Sequence, residues 1–184
     1  MTPLLRTLVL VVSGLLITAH AHAERADRDK PVKLEADRVT VDDVKRVHVF
    51  EGNVVLTQGT LVIRTARLIV TQDAEGFQKG VATGGEGGLA RFRQKREGID
   101  EYVDGEGERV EYDARTEKAE FFTRAYVKSG MDEVRGNFIS YDGLTEKYLV
   151  TSAPGAKPGS PAGRVTAVIQ PKNAKPAPDT AAPR

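Results

Sequence analysis

The chain has 184 residues, of which 40% are hydrophobic and 29% charged, and its formal net charge at pH 7 is +1. These values are typical of one globular domain with some appendage, and they disfavour a nucleic-acid-binding protein that relies on a basic surface. The absence of cysteine excludes disulfides, cysteine-ligated zinc and thiol nucleophiles. Only three histidines occur. We expect two of them to be removed with a leader, which disfavours a histidine-based zinc site or a catalytic triad.

The N-terminal 23 residues have the pattern of a secretory signal peptide. Arg6 is the only charge before Glu24, and the apolar stretch of residues 7–18 has the length of a signal-peptide core. Small residues at Ala21 and Ala23 predict cleavage between Ala23 and Glu24. A retained membrane anchor is the alternative, but the apolar stretch is shorter than the ~20 residues that a bilayer span requires. The sequence therefore predicts an exported protein.

Proline positions divide the rest of the chain. No proline occurs between Val32 and Ala153, which suits a continuous hydrogen-bond ladder because proline cannot donate to one. The segments expected after the signal peptide are a lead-in at residues 24–31, a β domain at residues 32–153, a Pro/Gly-rich linker at residues 154–162, an edge strand at residues 163–170 and a disordered tail at residues 171–184.

Short apolar runs alternate with polar residues throughout the expected domain. Turn residues such as Gly52-Asn53 and Asp142-Gly143 separate these runs, and no long window keeps the helical spacing of about 3.6 residues. The pattern predicts an all-β fold of roughly 10–16 short strands.

An internal repeat relates residues 36–71 to residues 107–142 at an offset of 71 residues. Phe50 in the first copy matches Phe121 in the second, although the second copy has Thr123-Arg124-Ala125 where the first has Gly-Asn-Val. A repeated β unit that cannot bury its own apolar face stacks against the next copy. We therefore expect one elongated or two-layered β structure rather than two separate domains.

The residues do not form a catalytic set. The run Gly84–Gly88 lacks the Lys-Ser/Thr of a phosphate-binding loop, and acidic pairs such as Asp42-Asp43 stand in predicted turns beside basic residues. His48 lies between Val47 and Val49, so we interpret it as a solvent-facing strand residue on the opposite face. The sequence therefore predicts no enzymatic activity, no cofactor and no metal site.

The apolar strand faces leave two interpretations open. The inner faces of two layers close on each other as an ordinary sandwich core, or the layers stay open along one side and the apolar lining receives acyl chains. Composition does not distinguish between these two.

Residues 50–70, FEGNVVLTQGTLVIRTARLIV, resemble the signature of the OstA-like family, f-x-G-N-V-x-v-x-Q-G-t-x-x-i-x-a-x-x-l-x-v. Residues 31–37 are similar to the first strand of that family and residues 164–168 to its last one. The resemblance covers residues 31–170, which is nearly all of the chain after the predicted signal peptide.

This resemblance implies an open β-jellyroll, in which two facing antiparallel layers form a V around an apolar groove that binds the lipid A portion of lipopolysaccharide. It implies a periplasmic protein that stacks end to end with copies of itself. The stack would join the inner-membrane-anchored components of the lipopolysaccharide transport (Lpt) machinery to its outer-membrane components. A closed β-sandwich adaptor that scaffolds an envelope complex without binding lipid is the alternative.

Alternation along the strands predicts the lining of the groove. The family resemblance, together with positions near strand ends, favours Phe92, Tyr112 and Val32 for lipid contact. The predicted lining consists of Val32, Leu34, Val41, Val49, Leu56, Ile63, Leu68, Phe92, Tyr112, Phe121, Val127, Val134, Ile139 and Tyr141. The predicted edge-strand contacts with other copies or partners are Val165, Val168, Ile169 and Val32.

Overall fold

The computed structural model describes Asp27 and residues 30–74, 76–153, 155, 157 and 165–170. These residues form one antiparallel sheet of twelve strands. The strands are β1 (Lys33–Glu35), β2 (Arg38–Asp42), β3 (Val47–Gln58), β4 (Leu61–Asp73), β5 (Gly76–Thr83), β6 (Ala90–Lys95), β7 (Tyr102–Gly107), β8 (Arg109–Asp113), β9 (Lys118–Ser129), β10 (Asp132–Asp142), β11 (Lys147–Thr151) and β12 (Thr166–Val168). Within the described parts of the chain, no helix has the length and hydropathy that crossing a membrane requires.

The sheet folds over itself, so that its strands lie in two layers. The long strands β3, β4, β9 and β10 contribute one half to each layer, whereas each short strand belongs to one layer. The first layer has the order β2-β3-β4-β5-β8-β9-β10-β11, and the second has the order β1-β3-β4-β6-β7-β9-β10-β12. The predicted all-β jellyroll is confirmed, and its twelve strands fall within the expected number.

Two of the four long strands, β3 and β9, change layer where their backbone enters the left-handed region. In β3, Gly52 and Asn53 have φ angles of 78° and 47°, and the register with β4 shifts at this point. In β9, Thr123 and Arg124 have φ angles of 57° and 53°. Glycine and asparagine tolerate this left-handed region best, whereas threonine and arginine adopt it at a steric cost. A short left-handed segment in an extended strand therefore redirects the chain from one layer into the other.

The internal repeat predicted from the sequence is present in the structure. Strands β8, β9 and β10 begin 71 residues after β2, β3 and β4. The kinks at residues 52–53 and 123–124 have the same offset, and so do the turn residues Arg46 and Glu117, with φ angles of 54° and 52°. The Thr-Arg pair of the second copy thus replaces Gly-Asn in sequence while keeping the conformation of the kink.

The kinks form a hinge on one side of the molecule, and the layers end separately on the other side, which we call the mouth. First-layer turns at the mouth include residues 43–46 and 143–146, and second-layer turns include residues 96–101 and 130–131. The strands therefore connect the layers at the hinge. At the mouth, the layers meet through side chains.

Gly52→Ala should lower the free energy of unfolding by about 1–2 kcal/mol, because alanine is strained in the left-handed region. In addition, a Cβ at Gly52 would lie 2.2 Å from Asp37 Oδ2. Thr123→Ala is the matched control in the second copy and should change stability by less than about 0.5 kcal/mol, because this position already carries a Cβ. Urea unfolding followed by far-ultraviolet circular dichroism measures both changes. Equal losses in the two variants would contradict the role assigned to Gly52.

Candidate functional site between the two layers

Inward-facing side chains of both layers form one apolar core. Nine of the predicted lining residues belong to it, each with at most 4% of its surface exposed: Leu56, Ile63, Leu68, Phe92, Tyr112, Phe121, Val127, Ile139 and Tyr141. Aliphatic side chains from β3, β4, β7 and β8 fill the space between them. The interior of the jellyroll therefore offers a dry apolar environment that both layers share.

Aromatic rings join the two layers in the middle of this interior. Phe92 projects from the second layer, and its ring centroid lies 5.7 Å from that of Phe121 and 6.0 Å from that of Tyr112, which both belong to the first layer. Gly105 in β7 leaves room for this cluster, since a Cβ there would lie 2.3 Å from Phe121 Cε1. Where the family resemblance implies an open groove, side chains fill the middle of the interior in this conformation.

The interior reaches solvent at the end formed by β1 and β2. Val32 and Leu34 are partly buried against the core, and Leu34 pairs with buried Leu56. Val41 in β2 is 51% exposed and lies on the inner face, because its partner His48 pairs in turn with a core residue of β4. At this end, apolar inner-face positions are therefore accessible from outside.

Two sequence-based assignments in β3 are wrong. Val49 was predicted to line the interior, but it pairs with Ile69 on the outer face. His48 was predicted to face solvent, but it pairs with buried Val70 on the inner face, and its side chain is only 22% exposed. Alternation failed here because this half of β3 carries apolar residues on both faces. Only the pairing with β4 shows which face is covered.

Phe50 was missed as a lining residue. It pairs with buried Leu68 and packs against the core. The signal that would have found it is the internal repeat, because Phe50 occupies the position of Phe121, which is fully buried in the core. The same offset places Glu120 at the position of Val49, which is consistent with an outward orientation there.

At the opposite end, β12 completes the second layer. Its pairing with β10 joins Ala167 to Val134, which is partly buried against the core. The predicted edge residues Val165, Val168 and Ile169 are 46%, 46% and 79% exposed. A cavity of about 280 Å³ opens beside them; its lining includes Arg96, Val127, Val134, Tyr148, Val168 and Ile169.

Uncharged tyrosines line the interior near this cavity. The rings of Tyr141 and Tyr148 stack with centroids 4.9 Å apart, and burial raises the pKa of both phenols above the ordinary value, so they remain neutral at physiological pH. Among the described residues, every buried side-chain nitrogen or oxygen has a hydrogen-bond partner, and no cluster of His, Asp or Glu could hold a metal ion. The described interior is therefore suited to apolar contact rather than to proton transfer.

Comparisons with known proteins agree with this architecture. A family model described as "LptA/(LptD N-terminal domain) LPS transport protein" matches residues 33–147. The lipopolysaccharide export system protein LptA of Haemophilus influenzae is 27% identical over 164 residues, which cover 89% of this chain and 91% of that protein. LptH of Pseudomonas aeruginosa is 28% identical over 167 residues, with coverages of 90% and 93%. LptA of Escherichia coli K12 is 29% identical over 164 residues, with coverages of 89% and 84%.

A solved structure shows the same fold. The crystal structure of LptH from Pseudomonas aeruginosa, described as the LptA-homologous periplasmic component of the lipopolysaccharide transport device, matches with a TM-score of 0.71 at 27% identity. The match covers 79% of this chain and 99% of that one. The family resemblance found in the sequence is thus confirmed, and the prediction that the chain is not an enzyme agrees with a family of transport proteins. The chain therefore belongs to the family of LptA and the LptD N-terminal domain, the lipopolysaccharide transport proteins.

Proposed function

We propose that this protein carries lipopolysaccharide through the periplasm by covering the acyl chains of lipid A between its two layers. Copies stacked head to tail bridge the inner and outer membranes. The proposal is carried by one observation, an apolar interior that reaches solvent at both ends of the sheet, where each edge strand has a neighbour on one side only among the described residues. The names of the relatives, lipopolysaccharide export system proteins, support the same role.

A periplasmic location is supported by the predicted signal peptide and by LptH, which is described as a periplasmic component. Residues 1–23 lie outside the described residues, so cleavage after Ala23 remains a prediction. The proposed linker and the proposed tail at residues 171–184 also lie largely or wholly outside them.

The hydrophobic effect explains why such a carrier needs a continuous apolar path. Burying hydrocarbon contributes ~0.8 kcal/mol per CH₂, so a lipid with several long acyl chains faces a cost on the order of tens of kcal/mol in water. A protein can move this lipid only if the chains stay covered at every step. Valine, leucine and isoleucine dominate the aliphatic lining, and such a surface favours sliding because it holds few directional contacts.

The packed middle of the interior is compatible with this role. Acyl chains that enter between the layers replace side-chain contacts by contacts of the same apolar kind. The layers are connected at the hinge and separate at the mouth, so a small opening at the mouth would extend the path past Phe92 and Phe121. Lipid then occupies space that neighbouring side chains fill when the carrier is empty.

The number and direction of the strands in each layer support head-to-tail stacking. In the described part of the chain each layer contains eight strands, and neighbouring strands are antiparallel. Because this number is even, the first strand of a second copy would run antiparallel to the last strand of the first copy. The pairing β2 to β11 and the pairing β1 to β12 would therefore continue both layers, and the interior with them, from one copy to the next.

The edge strands carry the exposed apolar residues that such stacking would cover. Val39 and Val41 in β2 are 53% and 51% exposed, and Ile169 next to β12 is 79% exposed. Unpaired strand edges with apolar side chains invite the addition of further strands. The two free ends of a stack would offer the same edges to the inner-membrane-anchored and the outer-membrane components of the Lpt machinery.

The filled middle of the interior also favours a second candidate, a closed β-sandwich adaptor that assembles an envelope complex without binding lipid. Both candidates use the edge strands in the same way. They differ in whether inward-facing positions meet acyl chains.

The photo-crosslinking amino acid p-benzoylphenylalanine at Val41 should capture lipopolysaccharide, whereas the same residue at Thr40 should not. These positions are neighbours in β2 and both are exposed, but Val41 faces the interior and Thr40 pairs with outward-facing Val49. Crosslinked products are detected with an anti-lipopolysaccharide antibody. Equal capture at both positions would remove the argument for an interior site, and no capture at either Val41 or Phe92 would favour the adaptor.

Removal of residues 164–184 should shorten the concentration-dependent series of oligomers, because it deletes β12 and with it one edge of the second layer. Removal of residues 171–184 alone is the matched control and should leave the series unchanged. Sedimentation velocity over a range of concentrations measures both, and circular dichroism checks that the remaining sheet is folded. If both truncations behave like the full chain, β12 has no part in stacking.

A further inference from the structure

An ion pair spans the mouth between the two layers. Arg96 follows β6 at the second-layer side of the mouth, and Glu146 lies in the first-layer turn between β10 and β11. Arg96 donates from Nη2 to Glu146 Oε2 at 2.6 Å and from Nε to Glu146 Oε1 at 3.3 Å. Both carboxylate oxygens are thus engaged in a bidentate contact, the strongest geometry for this pair of groups.

Arg96 has a second carboxylate partner within its own layer. Its Nη1 donates to Glu101 Oε2 at 2.7 Å, and its backbone N–H donates to the Glu101 carbonyl at 2.9 Å. Glu101 precedes β7, so this contact fixes the turn that presents the guanidinium. The Arg96 side chain is 24% exposed and that of Glu146 is 33% exposed, which shields the cross-layer contact from water and salt better than a fully exposed pair.

Arg96 also forms part of the wall of the 280 Å³ cavity beside β12, together with Val127, Val134 and Tyr148. That volume is slightly below the ~300–1,000 Å³ typical of sites for single small ligands. A lipid with several acyl chains cannot pass through such a space while the walls keep their positions. The strands connect the layers at the hinge, so the space widens by separation at the mouth, where Arg96 holds Glu146.

We infer that the Arg96–Glu146 pair is a clasp that keeps the mouth closed at the β11–β12 end of an empty carrier and releases when acyl chains enter. This inference rests on the proposed transport function. A bidentate pair suits such a task because it closes the apolar interior to water when no lipid is present. It is also weak enough for the burial of a few CH₂ groups to offset its loss.

Spin labels on introduced cysteines measure the opening directly, since the chain has no cysteine of its own. Ile99→Cys and Leu144→Cys place labels on the two sides of the mouth at positions that are 41% and 46% exposed. Ile99→Cys with Met131→Cys, which is 40% exposed, gives a reference distance within the second layer. Pulsed electron paramagnetic resonance reports the distribution of each distance.

Without lipid, Glu146→Gln should raise about fivefold the fraction of molecules that show the longer distance across the mouth. This change is expected if the closed state loses ~1 kcal/mol of stabilisation from the ion pair. Glu101→Gln is the matched control, because it also removes a carboxylate from Arg96 but only within one layer. The exchanged pair Arg96→Glu with Glu146→Arg, combined with Glu101→Gln so that no second carboxylate lies beside position 96, should restore the closed distance. Identical distributions in Glu146→Gln, Glu101→Gln and the unsubstituted labelled chain would overturn the clasp.

Addition of purified lipopolysaccharide to the labelled chain should lengthen the distance across the mouth and leave the reference distance unchanged. If lipid co-purifies with the protein while the distance across the mouth stays constant, the inference that the clasp releases for acyl chains is overturned, and the proposed transport function is not. If lipopolysaccharide binds neither the unsubstituted chain nor any of its variants, the proposed function and the release of the clasp are overturned together.

Discussion

The burial of two apolar sheet faces against each other is the interaction on which this structure depends. A flat sheet of this composition would leave its inner face in water. The chain avoids this because its four long strands cross from one layer into the other, and β3 and β9 do so through left-handed backbone conformations at Gly52-Asn53 and Thr123-Arg124. The steric cost at the threonine and the arginine is small beside the hydrophobic free energy of closing one half of the sheet on the other. The duplicated kink thus helps to create the interior on which the proposed transport of lipid relies.

A carrier built in this way uses the same residues for two purposes. Phe92, Tyr112 and Phe121 stabilise the empty protein by packing across the layers, yet they occupy the path proposed for the lipid. Both demands can be met because the contacts are apolar and nearly interchangeable, so an acyl chain can replace a side chain at little net cost. Separation of the two layers at the mouth also has a small net cost, because the lipid covers the apolar interior that the separation exposes.

The ends and the mouth differ in how they are closed. At the ends, the described strands have one free edge each, and exposed apolar residues such as Val41 and Ile169 would be covered by further strands. At the mouth, charged side chains at turns meet, and Arg96 and Glu146 join the layers. Backbone pairing is suited to a lasting junction between copies, whereas a few side-chain contacts, such as the Arg96–Glu146 pair and the hydrogen bond between Tyr148 and Ser129, are suited to reversible opening. The arrangement therefore separates the contacts that would build a stack from those that would open it.

The sequence by itself determined the all-β class, the repeat of 71 residues and most of the inward-facing positions, because alternation and turn residues are local signals. It also identified the family through the Gly-Asn-Val and Gln-Gly segments of residues 50–70. The tertiary structure alone decided the orientations of His48 and Val49, since both faces of that strand are apolar and only the pairing with β4 selects one. It alone also brought Arg96 to Glu146, because contacts between turns of different layers depend on where the strands kink, and no local pattern encodes that distance.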